Sequence, residues 1–173
     1  EYENIVRRVD RTTLLKKRAT FKYLLFNWYI LRIFVDMRIT KDNIDKFINT
    51  NDWDDKDTMD CSRMYITHIE YIPDHIKYLY CYNNNITSLP KLPEGLIRLY
   101  CFCNELTSLP KLPENLISLY CDNNKLTKLP NLPHRLRYFD CSFNNLPYKV
   151  TLDNLKEHNQ LIKRKEILTK ICA

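Results

Sequence analysis

At 173 residues with 45% hydrophobic content, the chain has the apolar share of one continuous globular core with end caps, which argues against disorder. Its single glycine, Gly95, excludes chemistry that needs a glycine-rich phosphate loop, a dinucleotide fold or a glycine-flanked nucleophile elbow. The net charge of +6 is modest but uneven, with Arg7, Arg8, Arg11, Lys16, Lys17, Arg18 and Lys22 crowding the first 22 residues and an acidic knot from Asp52 to Asp60. A solvated cap is the default reading of the basic end, and neither nucleic acid nor a membrane is expected as a partner.

The chain opens on charged residues without a small-residue cleavage site, so no signal peptide is expected. Residues 12–37 form a dense apolar stretch with few breakers and predict a helix. Its most apolar part, Tyr23 to Val35, is well short of the ~20 residues that span a bilayer, so a buried cap helix is expected. Ile44, Phe47 and Ile48 predict a second helix opening near Thr40, which makes residues 1–58 an N-terminal helical cap.

From residue 59 to 150 a motif returns every twenty residues, marked by Cys61, Cys81, Cys101, Cys121 and Cys141. The best copies read L-x-x-L-Y-C-x-x-N-x-L-T-x-L-P-x-L-P-x-x. A fixed short period is the signature of a solenoid, in which each coil buries its apolar side only against its neighbours. With the first leucine as position 1, alternation at positions 4 to 6 predicts a short strand per coil, about five in all. Position 9 holds Asn84, Asn104, Asn124 and Asn144, whose amides can bond the backbone of the adjoining coil as a ladder. Paired prolines, such as Pro90 with Pro93 and Pro110 with Pro113, hold the return limb extended and forbid a helix there. Beyond the repeats, residues 151–173 predict a C-terminal capping helix that starts near Asp153. Leu155, Leu161, Ile162, Leu168 and Ile171 form its apolar face, and Lys156, Lys163, Arg164 and Lys165 form its solvated one.

The cysteines offer three kinds of chemistry. One thiol per coil at equivalent inward positions, within an odd total, argues against a disulfide framework. Thiols held in a row do not converge as a metal site requires, so no metal is expected. What remains is a column of small buried hydrophobes in a reducing compartment. Cys103 departs from the column at position 8, where exposure and oxidation are expected. His68 and His75 show no close ligand spacing, and Asp52 to Asp57 lack the glycine and terminal glutamate of a calcium loop. No nucleophile has a recognisable base, so neither catalytic residues nor a cofactor are expected.

Positions 3, 5 and 7 point outward from the predicted strands. They carry Tyr78, Arg98 and Tyr138 at position 3, Tyr80, Tyr100 and Tyr120 at position 5, and Tyr82, Phe102 and Asp122 at position 7. Tyrosine suits strands and stacks across a ladder. Core packing does not require aromatics that face outward, however, and a patch rich in Tyr and Arg has the composition of an interface. Its footprint is only ~250 Å², against ~800 Å² per partner in a standard interface. A short peptide, a weak contact, a partner that also grips the caps, or self-association would fit that size.

The repeat resembles two groups of leucine-rich repeat proteins. One is a group of bacterial effectors with an N-terminal helical cap and paired L-P steps. The other comprises proteins of large DNA viruses of amoebae, which place cysteine at position 6 and share the Asn-, Ile- and Lys-rich composition. The cysteine usage, the composition and the N-L-K-E-H-N-Q segment favour the viral group, which implies the host-cell cytoplasm or a virion as the location. The resemblance implies an α/β solenoid with parallel strands on its concave face and helical caps at both ends. It also implies a non-enzymatic module that binds a protein or peptide. The alternatives are the substrate-recognition part of a ubiquitin-ligase system or a self-associating structural protein. Some effectors carry a large ligase domain after the repeats, and with 29 residues after Asn144 that activity is not expected here.

Overall fold

A computed structural model of the chain describes residues 37–48 and 56–171. Their strands are β1 (Met37–Ile39), β2 (Thr58–Asp60), β3 (Ile66–Ile69), β4 (Tyr78–Tyr80), β5 (Arg98–Tyr100), β6 (Ser118–Tyr120) and β7 (Tyr138–Asp140), followed by helix α1 (Leu155–Ile171). A five-stranded parallel sheet runs in the order β2-β4-β5-β6-β7. Equivalent repeat positions meet in register, so Met59, Leu79, Leu99, Leu119 and Phe139 form one row.

Beneath that row the core is a stack of identical layers. The column thiols, the strand leucines and Ile76, Leu96 and Leu116 are all buried, as are Ile86, Leu106 and Leu126 where the chain turns away. A single coil has no opposing layer, so each row of leucines is sealed only by the coils on either side. The return limbs stay extended and then tighten. Leu96, Leu116 and Leu136 each donate their backbone N–H to the proline three residues earlier, at 3.1 to 3.2 Å.

The asparagine ladder closes the turns. Asn104 accepts from Ile86 N–H at 3.0 Å and donates to the carbonyls of Cys81 at 2.9 Å and Cys101 at 3.2 Å. Asn84, Asn124 and Asn144 repeat this bonding one coil apart. One residue earlier, at position 8, the backbone is left-handed: Asn83, Cys103, Asn123 and Phe143 have φ between 51° and 53°. Asparagine tolerates that region better than most side chains, which explains the N-N pairs.

The start of the described chain differs from expectation. Met37, assigned to the end of a first helix, begins β1 instead, and β1 pairs in parallel with β3 in a separate two-stranded sheet. The helix expected to open near Thr40 is a single 3₁₀ turn, Ile44–Phe47. Asn43 decides this locally, because its side chain accepts from Thr40 N–H and donates to the Arg38 carbonyl, both at 2.9 Å. Such an asparagine offers the backbone a turn in place of a helix. The first predicted helix, apart from Met37, lies outside the described residues.

Helix α1 is present and packs part of its expected apolar face, with Leu155 against the core and Ile162 half-buried, but the rest of that face is open. His158 is 2% exposed, whereas Leu161, Leu168 and Ile171 are 41%, 61% and 74% exposed. Polar anchors set its roll: Asn159 accepts from Leu132 N–H at 2.8 Å and donates to the Leu132 carbonyl at 2.7 Å. These bonds lay α1 along the return limb of the preceding coil, where a further limb would otherwise stack.

Candidate functional site

Parallel strands about 4.8 Å apart force equivalent side chains on neighbouring coils into contact. Tyr80, Tyr100 and Tyr120 lie in register on β4, β5 and β6. Their rings meet edge to face, with centroids 5.1 Å apart at 63° and 4.8 Å apart at 76°. The tilt sets ring edges against ring faces, and each such pair contributes about 0.5–1.5 kcal/mol beyond burial. Alongside, Tyr82 and Phe102 are stacked, 4.6 Å apart with planes 5° from parallel.

Two cations frame the rings. Arg98 sits 5.4 Å over the Tyr78 ring, and Arg63 sits 5.7 Å over Tyr82. A side-chain hydrogen bond to Tyr80 raises the Arg98 pKa, partly offset by burial. Asp122 follows Phe102 in the next coil, and its carboxylate accepts from the Asn123 amide at 2.8 Å.

Among the residues singled out from sequence, the half-exposed Tyr78, Tyr80, Tyr82, Tyr100, Phe102 and Tyr120 form one continuous surface with the exposed Arg98, and Asp122 lies at its border. Tyr138 stands apart from them. It is 58% exposed on β7, separated from Arg98 by Ser118, which lies between them in register. Ser118 itself is 3% exposed although position 3 points outward. Sequence reasoning missed Arg63. It occupies the left-handed position 8 of its coil, with φ 59°, and nothing in the motif calls for an arginine there.

The thiols behind the sheet carry no site chemistry. Burial, followed by the charge of Asp60, pushes Cys61 up to about 12, and burial raises Cys81, Cys101 and Cys121 well above the ordinary thiol value. Cys141 rises to about 11, again chiefly through burial. All five are protonated at neutral pH and are neither nucleophiles nor ready metal ligands. Among the described residues no helix is long and apolar enough to cross a membrane.

Comparison with solved structures gives the same architecture. A structure titled as a Shigella effector LRR domain matches with a TM-score of 0.58 and 29% identity over 68% of this chain. The chain is a leucine-rich repeat solenoid. YopM from Yersinia enterocolitica WA-314 also matches, at 33% identity over 51% of this chain, with a TM-score of 0.40. The leucine-rich repeat chain spans 54% of the Shigella chain and 24% of the YopM chain. No protein-family model matches it, and comparison with curated proteins finds no match.

Proposed function

We propose that this leucine-rich repeat chain is a non-enzymatic binding module that holds a protein or short peptide against its aromatic concave face. The observation that carries the reading is the ring array on three successive strands. Tyr80, Tyr100 and Tyr120 interlock edge to face, and the stacked Tyr82–Phe102 pair lies beside them. The rings fix one another before any partner arrives, so little rotamer entropy is left to lose on binding. Tyr and Arg are the residues that carry most binding energy at interfaces, and Arg98 and Asp122 supply opposite charges to orient a ligand. Buried, protonated thiols support function in a reducing compartment.

The likeness to an effector repeat domain supports a second reading, in which the solenoid is the recognition part of a larger ligase-associated effector. The thiol column at position 6 and the Asn-, Ile- and Lys-rich composition support the viral resemblance instead. The concave-face reading does not depend on which origin holds.

Panning a displayed peptide library on the purified chain tests the proposal. Selected peptides are expected to lose about tenfold or more in affinity when Tyr100→Ala and Tyr120→Ala are combined. They should be unaffected by Lys163→Ala on α1. Peptides that bind the double variant as well as the parent would remove the concave face as the site.

A further inference from the structure

The last coil is capped on its return limb by α1 and beside Cys141 by Val150, which is 6% exposed and sets its carbonyl 3.5 Å from the thiol. α1 covers the return limb through Leu132 and Pro130, but among the described residues β7 has β6 as its single neighbour in the sheet. Every inner coil shows what that open edge lacks. Cys121, Asn123 and Asn124 donate their backbone N–H groups to the carbonyls of Asp140, Ser142 and Phe143, at 2.9, 3.0 and 3.2 Å. Leu126 N–H then takes the side-chain oxygen of Asn144 at 2.9 Å. The same four bonds start from Cys101, Cys103, Asn104 and Leu106, and again from Cys81, Asn83, Asn84 and Ile86.

In the final coil the equivalent donors are Cys141, Phe143, Asn144 and Leu146, and their N–H groups have no partner among the described residues. They border a groove of about 590 Å³, floored by Phe139, Leu146, Tyr148, Val150 and Leu152. Phe143 is 78% exposed at its rim. Unpaired donors along an exposed strand edge are a template for another strand.

We infer that this edge takes an extended peptide segment of a partner, added parallel to β7. The donors specify its chemistry: main-chain carbonyls at residues x, x+2 and x+3, and an asparagine at x+4 whose amide oxygen meets Leu146 N–H. The residue at x+3 must accept a left-handed backbone, as position 8 does in the inner coils. Apolar side chains on the inward side of the segment would enter the groove. The site is separate from the concave rings, and its partner contacts are mostly main chain, as in other strand-addition complexes.

The probe is a synthetic peptide of residues 117–128 of this chain, which carries the Tyr120, Asp122 and Asn123 carbonyls and Asn124 in the required order. Amide exchange is read by NMR on the labelled full chain. Free, the amides of Cys141, Phe143, Asn144 and Leu146 should exchange much faster than those of Cys121, Asn123, Asn124 and Leu126. Saturating peptide should slow all four by about tenfold or more. A peptide with Asn124→Ala should bind several-fold more weakly and leave Leu146 unprotected. Shifts confined to Tyr80, Tyr100 and Tyr120, or no protection at millimolar peptide, would overturn the inference. Protection that appears without peptide and grows with protein concentration would overturn it in favour of a second copy.

Discussion

The hydroxyl of Tyr148 lies 2.9 Å from Nδ1 of His158, and Nε2 of the same ring lies 3.0 Å from the carbonyl of Pro130. A carbonyl can only accept, so Nε2 carries the proton and Nδ1 accepts from the tyrosine. One buried imidazole therefore ties three segments together: the loop after β7, the return limb and α1. His158→Ala would strand the tyrosine hydroxyl and the proline carbonyl, at a cost of about 2–4 kcal/mol. Tyr148→Phe removes one bond and should cost about 1 kcal/mol. Thermal unfolding checks the totals, and amide exchange along α1 should accelerate in the alanine variant before the sheet is affected.

Asn104 is buried on every side, and its amide nitrogen donates to carbonyls of Cys81, Cys101 and Phe102. Asn104→Ala leaves Ile86 N–H unpaired and takes one of two bonds from the Cys81 carbonyl, which keeps the Asn84 amide, so a loss of about 2–4 kcal/mol is expected. Asn104→Asp keeps the shape but turns a donor into an acceptor facing carbonyls, and should cost more than alanine. Asn144 makes equivalent bonds half in solvent, where water can replace them; Asn144→Ala should cost about 1 kcal/mol. Urea titration of the three variants orders them, and equal losses at both asparagines would contradict the argument.

The thiol column makes the fold sensitive to alkali. An unfolded cysteine ionises near its ordinary value of 9.0, while the folded thiols hold their protons to higher pH, about 12 for Cys61. Above pH 9 the folded state binds more protons than the unfolded one, so stability falls as pH rises; below pH 9 the contribution is fully present. Each fully buried thiol then removes about 1.4 kcal/mol per pH unit. Cys61, Cys81, Cys101 and Cys121 together should lower stability by roughly 5 kcal/mol between about pH 8 and 10. Urea midpoints in reducing buffer measure this, and Cys101→Ala should flatten the slope by one thiol's share.

Cys103 behaves differently because it lies at the left-handed position, with φ 53°, and is half-exposed. Asparagine holds the same place at Asn83 and Asn123. Cys103→Asn should therefore stabilise the chain by about 0.5–1 kcal/mol. In the native protein an alkylating reagent should modify Cys103 long before the five column thiols. Mass spectrometry of timed digests reads the order directly.

Much of this architecture was legible because each coil repeats the same local problem. The recurring Cys, Leu and Asn positions face the same neighbours twenty residues away, so one correct phase assigns them all. Other features had no such repetition. Met37 to Ile39 carries too few residues to declare a strand, and its partner Ile66–Ile69 is far along the chain. Only part of the α1 face was legible: Leu155 and Ile162 pack as their spacing suggests, whereas Leu161, Leu168 and Ile171 stay exposed because His158 and Asn159 bind backbone that only the folded return limb presents.

By itself the sequence determined the period, the buried columns, the asparagine ladder and the outward direction of the tyrosines, since covalent spacing and side-chain polarity suffice for these. The tertiary structure alone decided which outward groups touch: that Tyr82 stacks on Phe102, that Ser118 separates Tyr138 from Arg98, and that β7 keeps an open edge. Such outcomes depend on how whole coils stack and where the last one is covered. They are set by contacts across coils, which no single stretch of residues encodes.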